Sequence, residues 1–174
     1  MANYETPETF AAAVYTPKET DRSALTEFVA ELKADEVSVA GILQESHVKP
    51  GESKRTIDSV DIITGQRIPI KKPMPSEDEC GLNVSNLVET SATLRAALDI
   101  RPDLVVVEKF GEQEQNGEGL LDEIMQIIIE GIPLLVAVPE PALDNWRELV
   151  GGMGTTIGLT GPEMKAWWSD VAGQ

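Results

Sequence analysis

The sequence predicts a three-layer α/β fold in which a mostly parallel sheet carries an inserted β-hairpin. Short apolar runs alternate with segments of helical periodicity, the order that is typical of parallel sheets. Two of the runs, DLVVVEKF and IPLLVAVP, are almost continuously apolar, as expected for strands buried on both faces. The hairpin is predicted from RTIDSVDIITGQRIPIKK, where two alternating runs meet at Thr64, Gly65 and Gln66. We expect one domain over residues 1–174, with residues 152–174 as a C-terminal helical tail.

Apolar spacing and terminal signals assign the individual elements. Residues 20–36 have their apolar side chains at helical spacing, and Ser23 or Asp21 is the expected N-cap. Gly131 suits the end of a helix over 118–131, and Pro141 suits the start of the next. The other assignments are strands at Phe10–Tyr15, 37–43, 103–110 and 132–139, helices at 83–100, 140–152 and 161–173, and a polar loop at 44–54.

Composition narrows the range of partners. The chain has 30 acidic and 14 basic residues, a net charge of −16, which opposes binding to nucleic acids or anionic membranes. No segment approaches the roughly 20 apolar residues of a membrane span, and a cytoplasmic protein is expected. Cys80 is the single cysteine, so no internal disulfide forms, and neither Cys80 nor the single histidine, His47, has a metal-binding pattern around it.

The predicted sheet brings three loops to one edge. Ligands of such sheets bind where the strands end at their carboxyl side. The loops at 16–22, 111–119 and from Glu140 onward qualify. The stretch DLVVVEKFGEQEQNGEG draws most attention, because Glu108 and Lys109 close an apolar run and three glycines follow.

These residues carry a family resemblance. The pattern VAGILQE, DSVDIITGQRIPI, DLVVVEKFGEQEQNGEGL and GIPLLVAVP resembles a small bacterial nucleoside-triphosphatase-like domain family of unknown function associated with molybdenum genes, over roughly residues 10–152. That family is in turn similar to the P-loop cancer-related nucleoside-triphosphatases. The resemblance implies a P-loop-NTPase-like fold and a ligand that is a nucleotide or a metal oxyanion such as molybdate or tungstate.

The sequence departs from the P-loop pattern at both catalytic elements. A P-loop needs glycines whose backbone N–H groups face the phosphates, whereas VYTPKETDRS has none and contains Pro17; Lys18 is the remnant cation. The second element is an acidic pair in the P-loop relatives, and its counterpart here is Glu108 with Lys109. A protonated lysine cannot act as the general base of a hydrolase, so we expect no catalysis.

A small-anion site is the first hypothesis. Its candidate ligand-binding residues are Lys109, Phe110, Gly111, Gly117, Gly119, Lys18 and Arg55, and Glu108 is the candidate metal ligand, for Mg²⁺ if a nucleotide binds. The alternatives are a divergent magnesium-dependent nucleoside triphosphatase and a protein-interaction module. In the latter the acidic surface and the helix with Trp167 and Trp168 would bind a partner or a second copy of the chain.

Overall fold

A computed structural model describes residues 9–16, 23–48, 51, 55–69, 84–108, 110 and 120–172. Its strands are β1 (Phe10–Tyr15), β2 (Val39–Val48), β3 (Arg55–Asp61), β4 (Arg67–Pro69), β5 (Leu104–Val107), β6 (Leu134–Pro139) and β7 (Thr155–Gly158). Its helices are α1 (Ser23–Ala34), α2 (Val84–Ile100), α3 (Leu121–Ile129), α4 (Leu143–Leu149), which a 3₁₀ turn (Glu140–Ala142) precedes, and α5 (Gly161–Ala172).

The described strands form one sheet in the order β4-β3-β2-β5-β6-β1-β7. Strands β2, β5, β6, β1 and β7 run parallel, whereas β3 and β4 pair antiparallel beyond β2. The predicted α/β class, with its mostly parallel sheet and its hairpin insertion, is therefore confirmed.

Two apolar clusters, one on each face of the sheet, account for the three layers. The continuous apolar runs of β5 and β6 send alternate side chains into the two clusters. One cluster packs the sheet against α2, α3 and α4, with Leu94, Ile124 and Trp146 among its members. The other packs it against α1 and α5, with Phe28 and Trp167 among its members.

Strand β2 is longer than the sequence predicted. It continues through residues 44–48, which were assigned to a loop, because β3 pairs with it as far as Val48 and Arg55. Its pairing with β5 stops earlier, at Ile42 and Val107. Residues 43–48 of the β2–β3 hairpin thus extend about 20 Å past the end of β5, at about 3.3 Å per residue.

Strand β7 was not predicted, and it changes the description of the C-terminal segment. Thr155–Gly158 pairs in parallel with β1 as an edge strand, so this segment contributes a strand to the sheet as well as a helix. The predicted helix is present as α5, and it packs Met164 and Trp167 into the core. Trp167 is therefore a core residue of this chain, whereas its neighbour Trp168 is half-buried.

Gly41 permits the close pairing of β2 with β5. Its φ is 124°, a value that L side chains rarely adopt, and a Cβ atom there would overlap the carbonyl oxygen of Val106. Any larger residue would force the two strands apart next to the end of β5.

Candidate ligand-binding site at the carboxyl edge of the sheet

Three parallel strands direct their carboxyl ends to the same edge at the centre of the sheet, where β5 stops about 10 Å, or three residues, before β6 and β1. In the order β5-β6-β1, the register pairs Val107 with Val136 and Tyr15 with Pro139. The residues that follow these strands, Glu108, Glu140 and Thr16, therefore lie at one edge. This is the edge at which open α/β sheets bind their ligands.

Glu108 is buried at this edge and is held by β2. Only 3% of its surface is exposed, and its backbone N–H donates to the carbonyl of Ile42 over 2.8 Å. Its Oε1 accepts a hydrogen bond of 2.9 Å from the backbone N–H of Gln44. Because β5 has ended by this point, the Glu108 carboxylate supplies Gln44 with the acceptor that a strand would otherwise provide.

Thr16 and Glu140 join the ends of β1 and β6. The Thr16 hydroxyl donates to Oε2 of Glu140 over 3.3 Å at an exposed position. Glu140 starts the 3₁₀ turn that leads into α4, with Pro141 as the next residue. This part of the edge consequently presents a carboxylate to solvent, which disfavours an anion directly over β6.

Phe110 fixes the chain on the far side of position 109. Its ring is buried and meets Trp146 edge-on, with centroids 5.3 Å apart and planes at 86°. Trp146 contacts Phe10 of β1 in the same way, at 6.3 Å and 73°. The residues on both sides of position 109 are thus held, one by β2 and the other by the apolar core.

Helix α3 begins at the same edge with two acidic residues in its first turn. Asp122 and Glu123 both lie there, Glu123 is buried, and no side chain caps the helix N-terminus. Negative side chains at this end interact favourably with the helix dipole. They also reduce the attraction of the helix start for a free anion.

Comparison with known proteins gives the family. Residues 10–167 match the family described as a protein of unknown function (DUF2478). The chain belongs to the DUF2478 family. It is also similar to the molybdenum import ATP-binding protein ModC 2 of Bradyrhizobium diazoefficiens, with 33% identity over 168 residues. That match covers 95% of this chain but 19% of the relative, so the chain spans about a fifth of the relative's length. No solved structure matches it.

The resemblance seen in the sequence is confirmed in its coarser part. The chain belongs to a family of unknown function and is similar to a molybdenum import ATP-binding protein. Its three-layer α/β fold is of the P-loop-NTPase-like kind. The more distant likeness to cancer-related nucleoside-triphosphatases stays a prediction.

The predicted site residues of this DUF2478 chain fall into three groups, of which Arg55 alone forms the third. Lys18, Lys109, Gly111, Gly117 and Gly119 lie outside the described residues, and so does Cys80. Glu108 and Phe110 lie together at the carboxyl edge, as described above.

Arg55 and His47 lie in the part of the β2–β3 hairpin that extends past the end of β5. Arg55 begins β3 opposite Val48, at the distal end of the hairpin, and His47 pairs with Thr56 beside it. The hairpin places the backbone of Arg55 about 20 Å along the strands from the level of Val107. Arg55 and Glu108 are therefore not neighbours along the sheet.

Two contributors at this edge were not predicted. Gln44 donates its backbone N–H to Glu108, and a backbone donor leaves no signal in the sequence. Thr16 donates its hydroxyl to Glu140 at an exposed position. Within the described ranges, no three His, Cys, Asp or Glu side chains are placed to hold a metal ion, and no helix is long and apolar enough to cross a membrane.

Proposed function

We propose that this protein binds a small oxyanion, molybdate or tungstate, at the carboxyl edge of its sheet, without hydrolysing nucleotide. In this proposal Lys109 supplies the positive charge, and Lys18 and the glycines of the following loop assist it. The protein would serve as an accessory to molybdate or tungstate handling.

The hydrogen bond between Gln44 and Glu108 carries this proposal. Glu108 corresponds to the first acidic residue of the hydrolase pair. Here it is 3% exposed and holds the backbone N–H of Gln44, which is a structural role. The second member of the pair is a lysine in this sequence. A lysine at the end of a buried strand is suited to holding an anion and unsuited to activating water.

The anchoring of positions 108 and 110 supports Lys109 as the ligand-binding residue. Both neighbours are held by packing and hydrogen bonds, so a lysine between them would lose little backbone conformational entropy when an anion binds. A site that is organised before binding favours selectivity between anions of different size.

The relative supplies the choice of anion. Its name describes a molybdenum import ATP-binding protein, and this chain matches 19% of its length. We infer that this chain takes the same oxyanion without acting as the import ATPase. The absence of P-loop glycines from VYTPKETDRS agrees with a chain that does not hydrolyse ATP.

The test is a calorimetric titration of molybdate into the wild-type protein and the Lys109→Met variant. Methionine keeps an unbranched stem and removes the charge, so affinity should fall about 10- to 100-fold, as for loss of a charge-assisted hydrogen bond worth roughly 1.5–3 kcal/mol. Lys165→Met is the matched control, because Lys165 lies on α5, outside the carboxyl edge. Equal affinity of the wild-type and Lys109→Met proteins would contradict the site assignment.

A magnesium-dependent nucleotide hydrolase is the second candidate, favoured by the words "ATP-binding" in the relative's name. Glu108 would then be the Mg²⁺ ligand, because Mg²⁺ is usually held by one or two carboxylates and Glu108 is the acidic residue at the end of β5. ATP turnover by the wild-type protein, abolished in Glu108→Gln, would establish this function in place of the first.

A further inference from the structure

A cleft between α1 and α5 lies on the face of the sheet that carries these two helices. It has a volume of about 440 Å³ and is lined by Phe28, Glu31, Leu32, Ala34, Asp35, Lys165, Trp168 and Ser169. Phe28 and Leu32 are buried and form its apolar floor, whereas Trp168 is half-buried and forms a wall. A half-buried tryptophan beside an apolar floor is typical of binding surfaces.

The α1 side of this cleft carries acidic residues at a regular spacing of four. Glu31 and Asp35 line it, and Glu27, one turn before Glu31 on α1, is exposed as well. Asp35 directly follows the last residue of α1, and its N–H still donates to the carbonyl of Glu31 in the helical pattern. Residues four apart on a helix share a face and follow each other at about 6 Å. Three carboxylates therefore stand in a row along the apolar floor.

The cleft has too few cations to neutralise this row. Lys165 pairs with Glu31 across the cleft, its Nζ lying 2.8 Å from the carboxylate oxygen. Glu27 and Asp35 have no ion-pair partner in the part of the chain that the structure describes. Among the described residues, therefore, Lys165 is the one cation paired with this row, which lies beside an aromatic and aliphatic surface.

We propose that the α1–α5 cleft docks a basic amphipathic helix of a partner protein. Lysines or arginines four residues apart on such a helix repeat at the same 6 Å or so as the carboxylates of α1. Apolar side chains on its adjoining stripe would enter the cleft and contact Phe28, Leu32 and Trp168.

The charge of the chain argues against other occupants. With a net charge of −16, a second copy of this protein would meet repulsion at the acidic row, and so would a nucleic acid or an anionic membrane. The proposal does not depend on the oxyanion site, since the cleft lies on a face of the sheet and is lined by different residues.

The experiment measures binding of a labelled synthetic Leu/Lys amphipathic helix, about five turns long, by fluorescence anisotropy at physiological salt. A Leu/Glu helix of the same length is the control peptide. The wild-type protein should bind the Leu/Lys helix and not the Leu/Glu helix. Asp35→Lys should weaken binding about tenfold or more, because it places a cation in the acidic row.

Asp144→Lys is the matched control variant. Asp144 is an exposed aspartate on α4, on the opposite face of the sheet, so the two substitutions change the net charge equally. Asp144→Lys should alter affinity less than about twofold. Trp168→Ala should also weaken binding, provided that its circular dichroism spectrum matches that of the wild type.

Three results would overturn the proposal. They are equal losses in the Asp35→Lys and Asp144→Lys variants, equal binding of the two peptides, and no binding of the Leu/Lys helix to the wild-type protein. The first would show a response to overall charge alone, and the other two would remove the cleft as a basic-helix site.

Discussion

Replacing Glu108 separates its structural role from its charge. Glu108→Ala removes the acceptor of the Gln44 N–H at a site where Glu108 is 3% exposed. A charge-assisted hydrogen bond contributes roughly 1.5–3 kcal/mol to stability. For a domain of this size, about 2–4 °C of melting temperature corresponds to each kcal/mol, so the variant should melt about 3–12 °C below the wild type.

Glu108→Gln keeps an oxygen in the same place and removes the charge. A neutral hydrogen bond is about half as strong as a charge-assisted one, so the loss of melting temperature should be about half of that in Glu108→Ala. The effect on anion binding has the opposite sign. A carboxylate about 6 Å from a bound dianion such as molybdate opposes it by roughly 1.4 kcal/mol in a water-like dielectric and about 5.5 kcal/mol at an effective dielectric of 20. Molybdate affinity should accordingly rise at least about tenfold in this variant.

The assays are differential scanning fluorimetry for stability and calorimetric titration for molybdate. If Glu108→Gln loses as much stability as Glu108→Ala, the acceptor role assigned to the carboxylate is wrong. If molybdate binds more weakly to Glu108→Gln than to the wild type, Glu108 assists the anion, for instance through a shared cation, and the proposed electrostatics is wrong.

Two further substitutions test the surroundings of the site. Gly41→Ala should cost about 3 kcal/mol or more, since the added Cβ overlaps the carbonyl oxygen of Val106 and φ is 124°. Gly65→Ala, at a φ of 78° with open space around it, should cost about 1 kcal/mol, and equal losses in urea unfolding would contradict the proposed overlap. Phe110→Ala should cost about 3–5 kcal/mol through its lost contact with Trp146, and it should also weaken molybdate binding by releasing the chain after position 109. An unfolding transition and a molybdate affinity that both match the wild type would show that this contact does not anchor the site.

Hydrophobic pattern was enough to predict the central part of the fold. The bounds of β1 agree with the predicted strand at Phe10–Tyr15, and the cores of β5 and β6 lie within the two continuous apolar runs. Burial on both faces leaves a strong compositional signal, because nearly every position must be apolar. The turn between β3 and β4 was also predicted, and Gly65 adopts there the positive φ that such turns require.

The outer strands left no such signal. The segment QESHV of β2 is polar because it extends past β5, and it is a strand only through its ladder with β3. The segment TTIG of β7 is short, lies at the edge of the sheet and follows glycines. Strands that depend on pairing rather than on burial are not visible in hydrophobic periodicity.

The candidate site shows the same limit. Glu108 could be identified from sequence, because a charged residue that ends an apolar strand is unusual. Gln44 could not, because it contributes a backbone N–H that every residue type except proline would offer. Trp167 and Trp168 could not be distinguished either, since only the packing of α5 decides which of the two enters the core.

A thermal-shift panel on the wild-type protein tests the central claim most directly. Its arms are molybdate, tungstate, sulfate, phosphate and Mg²⁺ with ATP. A ligand present at about 100 times its dissociation constant stabilises the native state by roughly 2.7 kcal/mol, which raises the melting temperature by several degrees. The account predicts a rise with molybdate and tungstate and none with sulfate or with Mg²⁺ and ATP. A rise with Mg²⁺ and ATP alone, or no rise in any arm, would contradict it.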